Sequence, residues 1–218
     1  MMDTVLLAFE IIGTAAFAVS GAFTAVRRDM DVFGVMILGL TTAVGGGVIR
    51  DLILGLTPPR TFQHPIYAAI SLAAAVVVFL IARRGWTEKS SGPYAVAMLV
   101  MDSLGLGAFT VSGMGAALDA GQDGVFLLVF VGVVTGVGGG VLRDIMSGET
   151  PLIFRKHVYA SASIFGALLC AALLGVNETL ALTLGMAATV VIRLLAAAFR
   201  WNLPHAGKGA GNGNKEEN

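Results

Sequence analysis

Apolar residues run along this chain in long blocks, and the polar residues between them are few. Seven blocks emerge, at 5–26, 32–56, 66–82, 94–117, 125–147, 158–176 and 179–199. A helix of about 20 apolar residues crosses roughly 30 Å of hydrocarbon, so the pattern predicts seven membrane spans. All six prolines (58, 59, 65, 93, 151 and 204) fall between or after the blocks. Any interruption inside a span must therefore come from glycine. The second and fifth blocks end near Gly55 and Gly148, each followed three residues later by a proline. That is a helix C-terminus signal written twice.

The pattern repeats. Phe17-Ala18-Val19-Ser20-Gly21 matches Phe109-Thr110-Val111-Ser112-Gly113 at an offset of 92, and Tyr67-Ala68 matches Tyr159-Ala160 at the same offset. Gly45-Gly46-Gly47-Val48-Ile49-Arg50-Asp51 matches Gly138-Gly139-Gly140-Val141-Leu142-Arg143-Asp144 at 93. Each copy holds three spans, an odd number, so the second must cross the membrane in the opposite direction. The expected fold is an all-α integral membrane protein with an inverted repeat. Its parts are a first three-helix repeat at 1–89, a second, inverted one at 90–177, a seventh helix at 178–203 and a disordered tail at 204–218, rich in Gly, Asn and charge.

Composition agrees. Hydrophobic residues make up 56% and charged residues 13%, where a soluble domain carries about 25% charged. Mean hydropathy is +0.83. Zero formal net charge gives no footing for nucleic acid, and the lone Cys170 excludes an intrachain disulfide. Ala16-Phe17-Ala18 resembles a signal-peptide cleavage site, but no Lys or Arg precedes it and the segment recurs later, so it reads as a retained helix. With the N-terminus outside, the inner segments hold Arg27, Arg28, Arg83, Arg84, Lys89, Arg155, Lys156, Arg200, Lys208 and Lys215, and the outer segments only Arg60. This asymmetry predicts a cytoplasmic C-terminus in a multi-pass cell-membrane protein. Trp86, Tyr94 and Trp201 then fall near the inner interface.

Charge inside the spans carries the candidate chemistry. Glu10, Arg50, Asp51, Asp102, Arg143, Asp144 and Arg193 all lie at membrane depth, where an ionised group costs about 2.5–3.5 kcal/mol even on lenient scales. A glycine inside a helix costs about 1 kcal/mol against alanine. Three glycines and an Arg-Asp pair, written twice, therefore mark a site. Depth along the helices matches Glu10 with Arg50 and Asp102 with Arg143, and places Arg50 and Asp144 on opposite sides of the midplane. Within each Arg-Asp dipeptide the side chains leave the helix about 100° apart, which predicts different partners for the two. Arg193 either faces the protein or snorkels toward the inner interface.

The triplets Gly45, Gly46, Gly47 and Gly138, Gly139, Gly140 fall near mid-membrane. They permit close helix packing, or an unwound stretch whose carbonyls replace a cation's hydration shell. Thr41, Thr42 and Thr135 could add oxygens, or bond their own helix backbone. A residue beside the break lines the path, so Arg143→Ala is expected to change conduction more than folding. Soluble-enzyme motifs are missing. The second glycine stretch fails the dinucleotide fingerprint at its last position, and no phosphate loop follows. His64, His157 and His205 have no cysteine cluster to make a metal site. The expectation is no enzyme, no cofactor and no resident metal.

The doubled Gly-Gly-Gly-x-x-Arg-Asp, the Phe-x-Val-Ser-Gly in spans one and four, and the span count resemble the prokaryotic branch of the trimeric intracellular cation (TRIC) channel family, also described as a glycine-transporter domain. The resemblance covers roughly residues 5–199. It implies a homotrimer with one pore per protomer, permeated by potassium and sodium. Bent second and fifth helices would line each pore, with the bends at residues 45–47 and 138–140. Arg50, Asp51, Arg143 and Asp144 would lie beside the path, supported by Glu10 and Asp102. Animal members carry a lysine-containing motif in place of one glycine motif and bind phosphoinositide; this chain lacks that motif. Arginines near a pore oppose cations unless the acids neutralise them, and they would suit a carboxylate. A transporter of a small zwitterion such as glycine is therefore the alternative.

Overall fold

A computed structural model describes residues 2–86, 92–155 and 158–201. Nine α-helices lie among them: α1 Met2–Arg27, α2 Val32–Ile53, α3 Arg60–Gln63, α4 Ile66–Ile81, α5 Gly92–Asp119, α6 Val125–Met146, α7 Leu152–Arg155, α8 Ala160–Leu173 and α9 Glu178–Ala198. A π-helical turn, Ala82–Trp86, prolongs α4. The expected tail at 204–218, with His205, lies outside the described residues, as do Lys89, Lys156 and His157.

Among the described residues, six helices are long and apolar enough to cross a membrane: α1, α2, α4 with its extension, α5, α6 and α9. The sixth expected span is α8, whose 14 residues cover about 21 Å at 1.5 Å per residue. The protein is an all-helical membrane protein. Its outward surface is apolar, with Phe33, Phe126, Phe165 and Leu184 exposed, as a lipid-facing wall requires.

Local chemistry sets the helix ends. Asp31 caps α2 by accepting from the Gly34 N–H at 2.8 Å. Asn177 caps α9 through the Leu180 N–H at 2.9 Å. Just after α2 and α6 stand Gly55 and Gly148, both at φ +71°, a backbone region that a side chain rarely adopts.

Small residues bring the helices together. α1, α2 and α4 pack on one another, as do α5, α6 and α8, and the two groups meet where α1 lies on α5 and α2 on α6. α9 packs on α5 and α8. A Cβ on Gly21 would stand 2.5 Å from the Thr42 hydroxyl, and one on Gly113 would stand 2.6 Å from the Thr135 hydroxyl. The glycine of each Phe-x-Val-Ser-Gly therefore admits a threonine of the following long helix. Phe17 and Phe109, which open these motifs, pack ring to ring at 5.3 Å in the interior.

The triplets pack rather than unwind. Both α2 and α6 are hydrogen-bonded helix straight through them, which corrects the expectation of freed carbonyls. A Cβ on Gly46 would collide with the Thr135 carbonyl oxygen, one on Gly139 with that of Thr42, and one on Gly45 with the Leu142 side chain. One on Gly138 would lie 3.2 Å from the Gly46 Cα. With every backbone group committed to its own helix, glycine's gain here is close approach. Thr42 and Thr135 donate to Leu38 and Val131 carbonyls, each at 2.6 Å. Their hydroxyl protons are thus committed to their own helices.

Candidate functional site

Two charged clusters sit at the junction of the two helix groups, built by the same rule. In the first, Arg50 of α2 donates from Nε to Asp51 at 2.8 Å and from Nη1 to Glu10 of α1 at 3.3 Å. Asp51 accepts the Arg60 backbone N–H at 2.7 Å. In the second, Arg143 of α6 donates from Nε to Asp144 at 2.8 Å and from Nη1 to Asp102 of α5 at 2.6 Å. Asp144 accepts the Leu152 backbone N–H at 2.8 Å. Each aspartate thus ties its arginine to the short helix that follows, α3 or α7.

The depth match between arginines and acids holds: Arg50 takes Glu10, and Arg143 takes Asp102. The expectation of separate partners within each dipeptide does not. Each arginine folds back onto the aspartate beside it. A long guanidinium arm spans the 100° that separates the two Cβ directions, and burial demands that its many donors find acceptors.

A third contact crosses between the helix groups. Ser112 of α5 lies 3.4 Å from Arg50 Nη1 and donates to Glu10 at 3.0 Å. Ser20 of α1 accepts from Arg143 Nη1 at 2.6 Å. Each cluster is therefore completed by a serine from the other group of helices. These serines, with Tyr67 and Tyr159, are site residues that the charge-based reading missed. The available signal was that all four recur at an offset of 92 inside apolar blocks.

The clusters differ in access. A cavity of about 400 Å³ opens onto the first, lined among others by Glu10, Gly47, Arg50, Arg60, Thr61, His64 and Tyr67. A Cβ on Gly47 would have no neighbour nearer than 3.9 Å, so this glycine is open to the cavity. Tyr67 donates to Glu10 Oε2 at 2.5 Å on the rim. Of the expected lining residues, the cavity wall includes Gly47, Arg50 and Glu10. The other five glycines face protein. The second cluster is shut. A Cβ on Gly140, the counterpart of Gly47, would stand 2.5 Å from the Tyr159 hydroxyl. Glu10 keeps 18% of its side chain exposed, Asp102 only 2% and Arg143 none.

Arg193 is settled by the same geometry. It faces inward, buried, with Nη2 3.4 Å from Asp102 and its guanidinium 4.7 Å above the Tyr159 ring. Further ion pairs join the helix ends: Arg60 with Asp119 at 3.6 Å, and Arg28 with Glu149 at 2.8 Å.

Buried charge clusters between long apolar helices, one of them opened to water by a cavity, define a polytopic membrane protein built around a polar interior. The family described as "Glycine transporter" matches the chain twice, over residues 7–83 and 99–175, and the two matches begin 92 residues apart. The chain is 37% identical over 197 residues to the Escherichia coli UPF0126 inner membrane protein YadS, covering 89% of this chain and 91% of that protein. A structure solved to explain conductance through TRIC cation channels superposes with a TM-score of 0.81 at 38% identity, covering 94% of this chain and 98% of the other. The TRIC trimeric intracellular cation channel orthologue from Rhodobacter sphaeroides gives 0.83 at 36%, covering 91% and 100%. The chain belongs to this family, the TRIC channels. Its relatives are channels and membrane proteins rather than enzymes.

Proposed function

We propose that this protein is a monovalent cation channel, permeable to potassium and sodium, with one pore per protomer of a homotrimer. The path runs along α2 and α6, spans two and five, bent at their glycine triplets when it opens. The carrying observation is the cavity that descends to Gly47, Arg50 and Glu10. The arginines there are not unopposed: Glu10 and Asp51 face the Arg50 guanidinium, and Arg60 of the same wall pairs with Asp119. Similarity to channels named for cation conductance supports the reading.

The arrangement in the membrane belongs to the same proposal. Seven spans, α8 being the short one, form an inverted repeat plus a seventh helix. The N-terminus lies outside a bacterial inner membrane and the C-terminus inside, so the cavity opens outward. Lipid and sister protomers cover the apolar faces. The zwitterion-transporter reading keeps one observation of its own: the same cavity presents Arg60 and Glu10 together, a pairing that suits a carboxylate and an amine.

Recording from purified protein in planar bilayers separates the two. Unitary potassium current steps are expected, and their absence alongside glycine uptake into vesicles would select the transporter. In the same recordings Glu10→Gln is expected to lower unitary cation conductance several-fold. Two unit charges about 6 Å apart interact by about 3 kcal/mol at an effective dielectric of about 20, before screening by water. Unaltered conductance would remove Glu10 from the path.

A further inference from the structure

Arg193 has no counterpart in the first cluster, because α9 belongs to neither three-helix group. Its effect is visible in what it displaces. In the first cluster the acid, Glu10, holds Arg50 on one oxygen and the Tyr67 hydroxyl on the other. In the second, Asp102 holds Arg143 on one oxygen and Arg193 on the other. Tyr159, which holds the repeat position of Tyr67, is left with a buried hydroxyl that has no hydrogen-bond partner among the described residues. Arg193 Nε and Arg143 Nη2 are likewise buried without one, although Nη2 keeps an ion-pair contact with Asp144 at 2.8 Å. Polar atoms left unsatisfied in an enclosed site cost free energy that a rearrangement can recover. The first cluster displays the rearrangement that would recover it for the tyrosine.

We propose that Arg193 is a lock on the inner half of the path. It occupies the Asp102 oxygen that Tyr159 takes when this half opens, and so holds the tyrosine against Gly140, where the first half has open space above Gly47. Opening withdraws Arg193 from Asp102, a contact at 3.4 Å near the long limit of hydrogen bonding. The Tyr159 hydroxyl then moves onto Asp102, and the space above Gly140 fills with water. Arg193 acts through Tyr159 and Asp102 and is a positioning residue. The lock rests on the channel reading for its consequence, gating, but not for its geometry.

Two readouts test it. Leu106 is buried beside Tyr159 and Val137, so the rate at which Leu106→Cys reacts with a membrane-impermeant thiol reagent, in a Cys170→Ala background, reports opening without any current. Arg193→Met is expected to raise that rate, and the open probability in planar bilayers, several-fold. Adding Tyr159→Phe to Arg193→Met is expected to cancel the gain, which general loosening of the fold would not do. Tyr159→Phe alone is expected to lower open probability several-fold with the melting temperature unchanged or raised, since the shut form gives that hydroxyl no partner to lose. Labelling that rises in a protein passing no cation current would sustain the lock and overturn the channel reading. Labelling unchanged by Arg193→Met, or open probability unchanged by Tyr159→Phe, would overturn the lock.

Discussion

Arg143→Ala is expected to be the costliest of the charge substitutions, lowering stability by about 3–5 kcal/mol, the range for stripping one partner from a buried ion pair. Arg143 is fully buried and serves Asp102, Asp144 and Ser20 at once. Its removal leaves Asp144 with the Leu152 N–H and Asp102 with only the longer contact to Arg193. Arg50→Ala should cost less, because Glu10 borders the cavity and water can replace the guanidinium there. Thermal unfolding of both variants in detergent checks the order. Equal losses would mean that water reaches both clusters alike. This reverses the expectation from sequence, in which Arg143 lined the path and its loss changed conduction more than folding.

Gly139→Ala and Gly46→Ala are expected to be nearly as damaging. Each added methyl meets a main-chain carbonyl oxygen of the facing helix, and a carbonyl committed to its own helix cannot turn aside. Overpacking of a tight interior costs about 1–3 kcal/mol, and an immovable neighbour places these at the upper end. Gly47→Ala is the matched control. Its methyl would enter open space, with nothing closer than 3.9 Å, and alanine gains about 1 kcal/mol of helix propensity over glycine. Unfolding midpoints should therefore fall for Gly46 and Gly139 and hold or rise for Gly47. A fall at all three would show that conformation, not contact, demands glycine.

Much of this was legible in the chain itself. Block length and the Gly-x-x-Pro endings located the long helices, because hydrocarbon thickness and backbone chemistry permit few alternatives. The partners of Arg50 and Arg143 followed from depth, since helical rise is constant. Three features were not legible. Whether a glycine triplet packs or unwinds depends on what faces it, and the carbonyls of Thr42 and Thr135 belong to the opposite helix. The fold-back of each arginine onto its neighbouring aspartate depends on side-chain reach, which a helical wheel omits. The open first cluster and shut second one carry nearly the same local sequence. Their difference lies in the position of one tyrosine against one glycine, and in Arg193 arriving from a helix with no partner.

Cations are proposed to pass through the cavity bounded by Gly47, Arg50 and Thr61. The most direct test is the unitary potassium current of Thr61→Cys, in a Cys170→Ala background, before and after reaction with a membrane-impermeant, positively charged thiol reagent. Thr61 lines the cavity wall, so a fixed cation there should both narrow the path and repel the permeant ion. Unitary conductance is expected to fall several-fold on modification and to recover on reduction. Complete modification with conductance unchanged would contradict the proposal and place the path elsewhere.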